Sequence, residues 1–229
     1  MNFATIAQNI VKLLAKYWDK FLITGLEYTL SLAAITVFFG AIFGALIALM
    51  RMSRVAPLRW IAAAYTEIIR GTPMLLQLYL FYFALPMLIP FLNKKQYACV
   101  AIALVCNSAA YVSEIIRSGI QAVDIGQTEA ARSLGMSQRL TMTQIILPQA
   151  IKNILPALAN EFIMVIKDTS LASTFFIGDL MTQCLLVKGA TYLTIEPLII
   201  VGVIYFILTF ILSKGVAAME RRMRRGDIR

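Results

Sequence analysis

The 229 residues carry 21 Lys and Arg against 12 Asp and Glu, a net charge of +9, yet only 14% are charged and 60% are hydrophobic. With a mean hydropathy of +0.78 and a charged fraction far below the roughly one quarter of soluble domains, an ordinary soluble globule is excluded and an integral membrane protein is expected. The basic residues sit beside apolar runs instead of forming one face, which favours membrane topology over nucleic-acid binding.

The first twenty residues place Lys12, Lys16, Asp19 and Lys20 in a modest apolar pattern, unlike a cleavable signal peptide, so the first true span is expected to direct insertion. Crossing a hydrocarbon core of ~30 Å takes about 20 apolar residues. Five runs meet that length, at roughly 22–50, 61–90 with interruptions, 97–118, 146–167 and 194–216. Five spans put the termini on opposite sides. With the carboxyl end cytoplasmic, the inner side receives twelve basic residues: Arg51, Arg54, Arg59, Arg117, Arg132, Arg139, Lys214, Arg221, Arg222, Arg224, Arg225 and Arg229. The outer side then holds six, Lys12, Lys16, Lys20, Lys94, Lys95 and Lys188. That bias predicts the amino terminus outside and the carboxyl terminus inside.

Within the first span, Gly40 and Gly44 stand in a small-xxx-small relation that lets another helix approach closely. The second carries Arg70-Gly71-Thr72-Pro73, where Gly71 and Pro73 weaken the helical ladder. Such a break either lies inside protein or lines a cavity, or else forms a loop at the membrane surface. Toward the end of the third span, Glu114 and Arg117 are three residues apart and can pair on one helical face. Asp124 followed by Gln127 has the form of a capping box, predicting a new helix from about Ile125. That helix holds Glu129, Ala130, Ala131 and Leu134 and is expected to stop at Gly135. Ser137 caps a second short helix running to Pro148, itself in the first turn of the next span.

The hairpin at 124–148 is polar and small-faced. Ala130, Ala131 and Gly135 let a groove on another protein approach the backbone, while Glu129 and Arg132 supply orienting charge. An amphipathic helix resting on lipid calls for bulky Trp or Phe, and none occurs between 124 and 148, so a protein partner is favoured.

Glu129-Ala130-Ala131, three residues, Gly135, nine residues, Ile145, one residue and Leu147-Pro148 together resemble the signature loop of bacterial ABC-type importer permeases. Arg70-Gly71-Thr72-Pro73 with Gln77, Asn160-Glu161-Phe162 and Lys167-Asp168-Thr169-Ser170 look like the polar amino acid branch, so the resemblance covers nearly the whole chain. It implies an all-α permease fold: a single transmembrane domain over 1–229, with 124–148 as a cytoplasmic coupling loop docked on a separate ATPase subunit. The residues carrying that coupling would be Glu129, Ala130, Ala131, Arg132 and Gly135. It further implies a bacterial inner-membrane location, an extracytoplasmic solute-binding protein, and a second permease copy or a related permease. The chain itself would bind no cofactor, ATP and Mg belonging to the partner.

The chain contains no G-x-x-x-x-G-K-[ST] sequence, so no Walker A loop binds ATP in this polypeptide. Energy comes from a partner ATPase or, alternatively, from a gradient acting on a self-contained carrier or channel, although no inverted repeat is visible. It is expected not to be an enzyme by itself. Without histidine, and with Cys99, Cys106 and Cys184 widely spaced, neither metal nor redox chemistry is indicated.

Candidate substrate contacts lie mainly on the fourth span. Glu161 and Asp168 are seven residues apart, on nearly one helical face and separated by about 10 Å of rise. Intramembrane carboxylates are costly, so they mark either a substrate path or a paired charge, with Lys167 the obvious partner. The resemblance implies substrate contact at both, and a carboxylate suits the ammonium of an amino acid. Gln77 and Asn107 either meet the substrate or hydrogen-bond between helices. Met164, Thr169 and Ser170 are weaker candidates from adjacent turns, and Tyr79, Phe81, Tyr82 and Phe83 read as packing. The stretch from Leu171 to Lys188 is interrupted by Gly178, Asp179, Thr182 and Gln183 and is expected to be an outer-side helix and loop, where Lys94, Lys95 and Lys188 offer charge to a binding protein.

Overall fold

A run such as Leu26–Arg51, with its only acidic residue in the first turn and its only basic one in the last, can satisfy every backbone group in lipid only as a helix. The computed structural model describes residues 3–224, and among these the elements are helices without a strand. In chain order they are α1 Phe3–Asp19, α2 Leu26–Arg51, α3 Ala56–Gly71, α4 Met74–Leu88, α5 Gln96–Gln121, α6 Ile125–Ser133, α7 Gln138–Thr141, α8 Leu147–Asp168, α9 Leu180–Thr191 and α10 Ile195–Arg224. Short π turns at Lys20–Gly25 and Met142–Ile146 join α1 to α2 and α7 to α8, and a 3₁₀ segment Thr169–Phe175 follows α8. Arg225 and Arg229 of the basic tail lie outside the described residues.

Three helices are long and apolar enough to cross a membrane, Phe3–Arg51, Gln96–Gln121 and Ile195–Met223, or up to five if each of two bent pairs counts as one span. The bent pairs are Ala56–Gly71 with Met74–Leu88, at 109°, and Gln138–Phe175 with Leu180–Thr191, at 43°. The first break falls at Thr72-Pro73, as the sequence indicates, because Pro73 has no N–H and both residues adopt extended backbone. Helix begins well before residue 22, because a π turn joins α1 to α2, with a kink at Tyr17 just ahead of it.

By packing, the chain divides into two compact units. One comprises Met1–Phe38, Pro73–Val105 and Ile163–Leu212. Its first cluster joins Leu32 of α2, Leu78 of α4, Val100 and Leu104 of α5, and Ala172 and Phe175 of the 3₁₀ segment. The Phe175 ring stacks on Tyr82 at 4.2 Å and meets Tyr79 edge-on at 5.0 Å, so the aromatic run of α4 does pack. A second cluster joins Leu13 of α1, Phe21, three residues of α9 and Ile200 and Val201 of α10.

That second cluster buries the helix of the 171–188 stretch, which the sequence indicates only as an outer-side helix and loop. Leu180, Thr182, Gln183, Cys184 and Val187 of α9 are buried. The polar residues that interrupted the apolar run are satisfied inside protein: the Thr182 hydroxyl donates to the Asp179 carboxylate, and Gln183 Nε2 donates to the Gly178 carbonyl at 3.1 Å. Gly25 keeps the contact close, since a Cβ there would meet Leu180 Cα at 3.0 Å.

The other unit comprises Phe39–Thr72, Cys106–Phe162 and Ser213–Arg229. Here Gly40 and Gly44 face α5: a Cβ on Gly44 would lie 2.5 Å from Val112 Cγ1 and 2.9 Å from the Ala109 carbonyl. The small-xxx-small pair is therefore packing, as its spacing suggests. The Tyr65 hydroxyl of α3 donates to the Cys106 carbonyl at 2.6 Å.

Candidate functional site

The turn between α6 and α7 is built by local capping. The Asp124 carboxylate accepts from the Gly126 N–H at 2.6 Å, and the Ser137 hydroxyl accepts from Leu140 N–H at 3.3 Å. The capping box at Asp124 is one-sided, because the Gln127 side chain accepts from Gln149 instead of reaching back. At the other end Gly135 takes φ +83, its N–H donates to the Arg132 carbonyl at 3.0 Å, and Met136 N–H donates to the Ala131 carbonyl at 3.1 Å. Those two bonds are the Schellman pattern and explain why glycine is needed there. The Arg132 guanidinium closes the turn on the Met136 carbonyl at 2.7 Å.

Glu129, Ala130, Arg132 and Gly135 are exposed on this turn, with Leu134 84% exposed between them. Ala131 is buried, so it sets the spacing inside the unit while its neighbours face outward. The second helix of the hairpin, α7, is capped by Ser137 and joined to α8 without a break by the π turn at Met142–Ile146. Pro148 stands in the first turn of α8, as the sequence indicates. Gln149 Nε2 donates to the Ile145 carbonyl at 3.0 Å, across the junction of the π turn and α8.

In the same unit, Glu114 is the centre of a charged cluster. It pairs with Arg117, as the three-residue spacing predicts, and also with Arg51 at 2.5 Å and Arg70 at 3.6 Å. Arg117 further donates to Gln121 at 2.6 Å, and Arg70 lies over the Tyr111 ring. One carboxylate thus ties the last turns of α2 and α3 to α5. Sequence reasoning found only the Arg117 half, since Arg51 and Arg70 are brought in by tertiary packing. Arg54 joins the loop after α2 to Gln138 of α7 at 2.5 Å.

The residues predicted to meet substrate divide between the units. Asn107 and Glu161 belong to the unit that holds the turn, Asn107 buried in α5 and Glu161 half-buried in α8. Gln77, Met164, Asp168, Thr169 and Ser170 belong to the other. There Gln77 is buried in α4, Met164 is exposed and Asp168 is half-buried at the end of α8. Thr169 is fully buried and its hydroxyl donates to the Ile166 carbonyl at 2.7 Å, while the Ser170 carbonyl accepts from Ser173 at 2.7 Å. Lys167 is exposed.

Among the described residues the chain is all-helical, with apolar helices of membrane length and an exposed helix–glycine turn, the make-up of an integral membrane protein. The chain belongs to the family described as binding-protein-dependent transport system inner membrane component, whose model matches residues 25–225, and so is an ABC importer permease. It is 44% identical to the arginine transport system permease protein ArtQ of Bacillus subtilis (strain 168), covering 90% of this chain and 94% of that one. It is 43% identical to the putative glutamine transport system permease protein GlnP of Rickettsia bellii (strain RML369-C), covering 89% and 93%. The crystal structure of an amino acid ABC transporter with histidines superposes with a TM-score of 0.84 at 45% identity, over 91% of this chain and 96% of that one. Family membership sets aside the self-contained carrier or channel.

Proposed function

We propose that this chain is the translocation subunit of an ATP-driven importer of polar L-amino acids, with basic amino acids, glutamine and cystine the leading cargoes. The observation that carries the reading is the exposed turn at Gly135, which bears the complete Glu-Ala-Ala, Gly and Ile-x-Leu-Pro spacing of the importer loop. Relatives named for arginine and glutamine transport support a polar amino acid as cargo.

The chain is one transmembrane domain of five spans, amino terminus outside and carboxyl terminus cytoplasmic, and catalyses no reaction itself. ATP and Mg are bound by two partner ATPase subunits, whose grooves receive the turn at 124–148 through Glu129, Ala130, Arg132 and Gly135, with Ala131 holding its shape. A second copy or a related permease completes the pathway, and an extracytoplasmic binding protein delivers the amino acid. Glu161 and Asp168 hold the substrate ammonium or a basic side chain, assisted by Gln77, Asn107, Met164, Thr169 and Ser170. Closure of the ATPase pair draws the turns together and exposes the cavity outward, and hydrolysis resets it inward.

The test is the complex reconstituted with its binding protein. Substrate-stimulated ATPase and uptake are expected, and both fall in a Gly135→Asp variant that still assembles. Unchanged uptake in that variant sinks the coupling role. Glu161→Gln and Asp168→Asn are expected to weaken uptake at low substrate, and wild-type affinity in both leaves these charges structural.

A further inference from the structure

The helix Phe3–Arg51 is 49 residues long, about 73 Å at helical rise, more than twice the ~30 Å hydrocarbon core, so its first part cannot share the crossing made by α2. The backbone marks the division: Tyr17 leaves helical geometry at φ −124, ψ 19, and the π turn follows at Lys20.

The faces of α1 say where that surplus goes. Ile6, Ile10, Leu13 and Tyr17 form the face turned inward, with Ile10, Leu13 and Tyr17 packed in the second cluster of their unit, and Asn9 donates to Glu196 at 2.9 Å. A second stripe at helical spacing, Phe3, Ala7, Val11, Leu14 and Trp18, is exposed. The remaining arc carries Lys12 and Lys16 with Asp19, and the π turn adds Lys20. An exposed apolar edge ending in Trp with a lysine edge across the helix from it is the pattern of a helix lying in a lipid interface. Lys16 and Lys20 are moreover gathered at one ring, their Nζ atoms 5.2 and 5.5 Å from the centroid of Tyr17. Two ammonium groups around one ring make this corner attractive to an anion.

We infer that the bend at Tyr17 is a binding site for the phosphate headgroup of an anionic phospholipid, with Lys16 and Lys20 meeting the phosphate and Trp18 seated among the adjoining chains. The occupant is a lipid and not free phosphate because the exposed stripe of the same helix needs an apolar phase next to it. The inference rests on membrane residence alone and not on the cargo or the ATPase.

Trp18 and Trp60 are the two tryptophans, so Trp60→Phe leaves Trp18 as sole reporter. The full chain in nanodiscs is compared with brominated phosphatidylglycerol or brominated phosphatidylcholine at equal mole fraction. The phosphatidylglycerol form is expected to quench Trp18 more strongly, and Lys16→Gln/Lys20→Gln to lower that preference roughly tenfold while Lys16→Arg/Lys20→Arg keeps it. Native mass spectrometry of the chain with its natural Trp60 provides a second readout, phosphatidylglycerol being retained by the unaltered lysines and lost with the Gln pair. Equal quenching by the two lipids, no quenching by either, or equal retention in the Gln pair overturns the site. Loss of the preference on adding inorganic phosphate, but not chloride at matched ionic strength, assigns it to free phosphate and overturns the lipid.

Discussion

Gly135 combines a backbone demand with open space. Its φ of +83 is one that L side chains rarely adopt, yet a Cβ there would meet no atom within 4 Å. The cost of substitution is therefore backbone strain: Gly135→Ala is expected to destabilise the turn by about 1 kcal/mol and Gly135→Asn by less, because Asn tolerates the left-handed region. Thermal unfolding of the assembled complex measures the order, and an Ala variant as stable as Gly contradicts it. Glu114 is the opposite kind of residue, fixed by partners. At 19% side-chain exposure it faces three arginines, so Glu114→Gln leaves their charge uncompensated. A loss of about 2 kcal/mol is expected, larger than for Arg117→Gln, which leaves Arg51 and Arg70 in place. The pair three residues apart is legible in sequence, but the two distant arginines are not.

Between elements, α2 meets α5 at close quarters around Gly44. A Gly44→Ala change brings its methyl against both the Val112 side chain and the Ala109 carbonyl. Adding Val112→Ala removes the first obstacle and leaves the second, so the double variant is expected to recover only part of the lost thermal stability. Full recovery shows that backbone approach is not limiting. The helix hairpin was legible down to its caps at Asp124 and Ser137 and its stop at Gly135, because capping is local chemistry. The π turn that joins α7 to α8 without a break was not legible, because it has no sequence signature. The burial of α9 was not legible for a related reason: Thr182 and Gln183 look like breaks in a span until Asp179 and Gly178 supply their partners.

For the whole molecule, twelve basic residues against six set the orientation proposed above. In a background with Cys99, Cys106 and Cys184 replaced by Ala, an impermeant thiol reagent added to intact cells is expected to label Lys94→Cys and not Arg54→Cys. The reverse labelling inverts the topology, and labelling of both contradicts it. The sequence alone determined that this is an all-helical membrane protein whose helices break at Thr72-Pro73, because hydropathy, proline and capping act within a few residues of themselves, and its resemblance to importer permeases implied the coupling loop. Only the tertiary structure decided that α9 is core, that Ala131 faces inward while Ala130 faces out, and that Arg51 and Arg70 share Glu114. Those facts depend on which distant segments meet, and the burial of a polar group is favourable only once its partner has arrived.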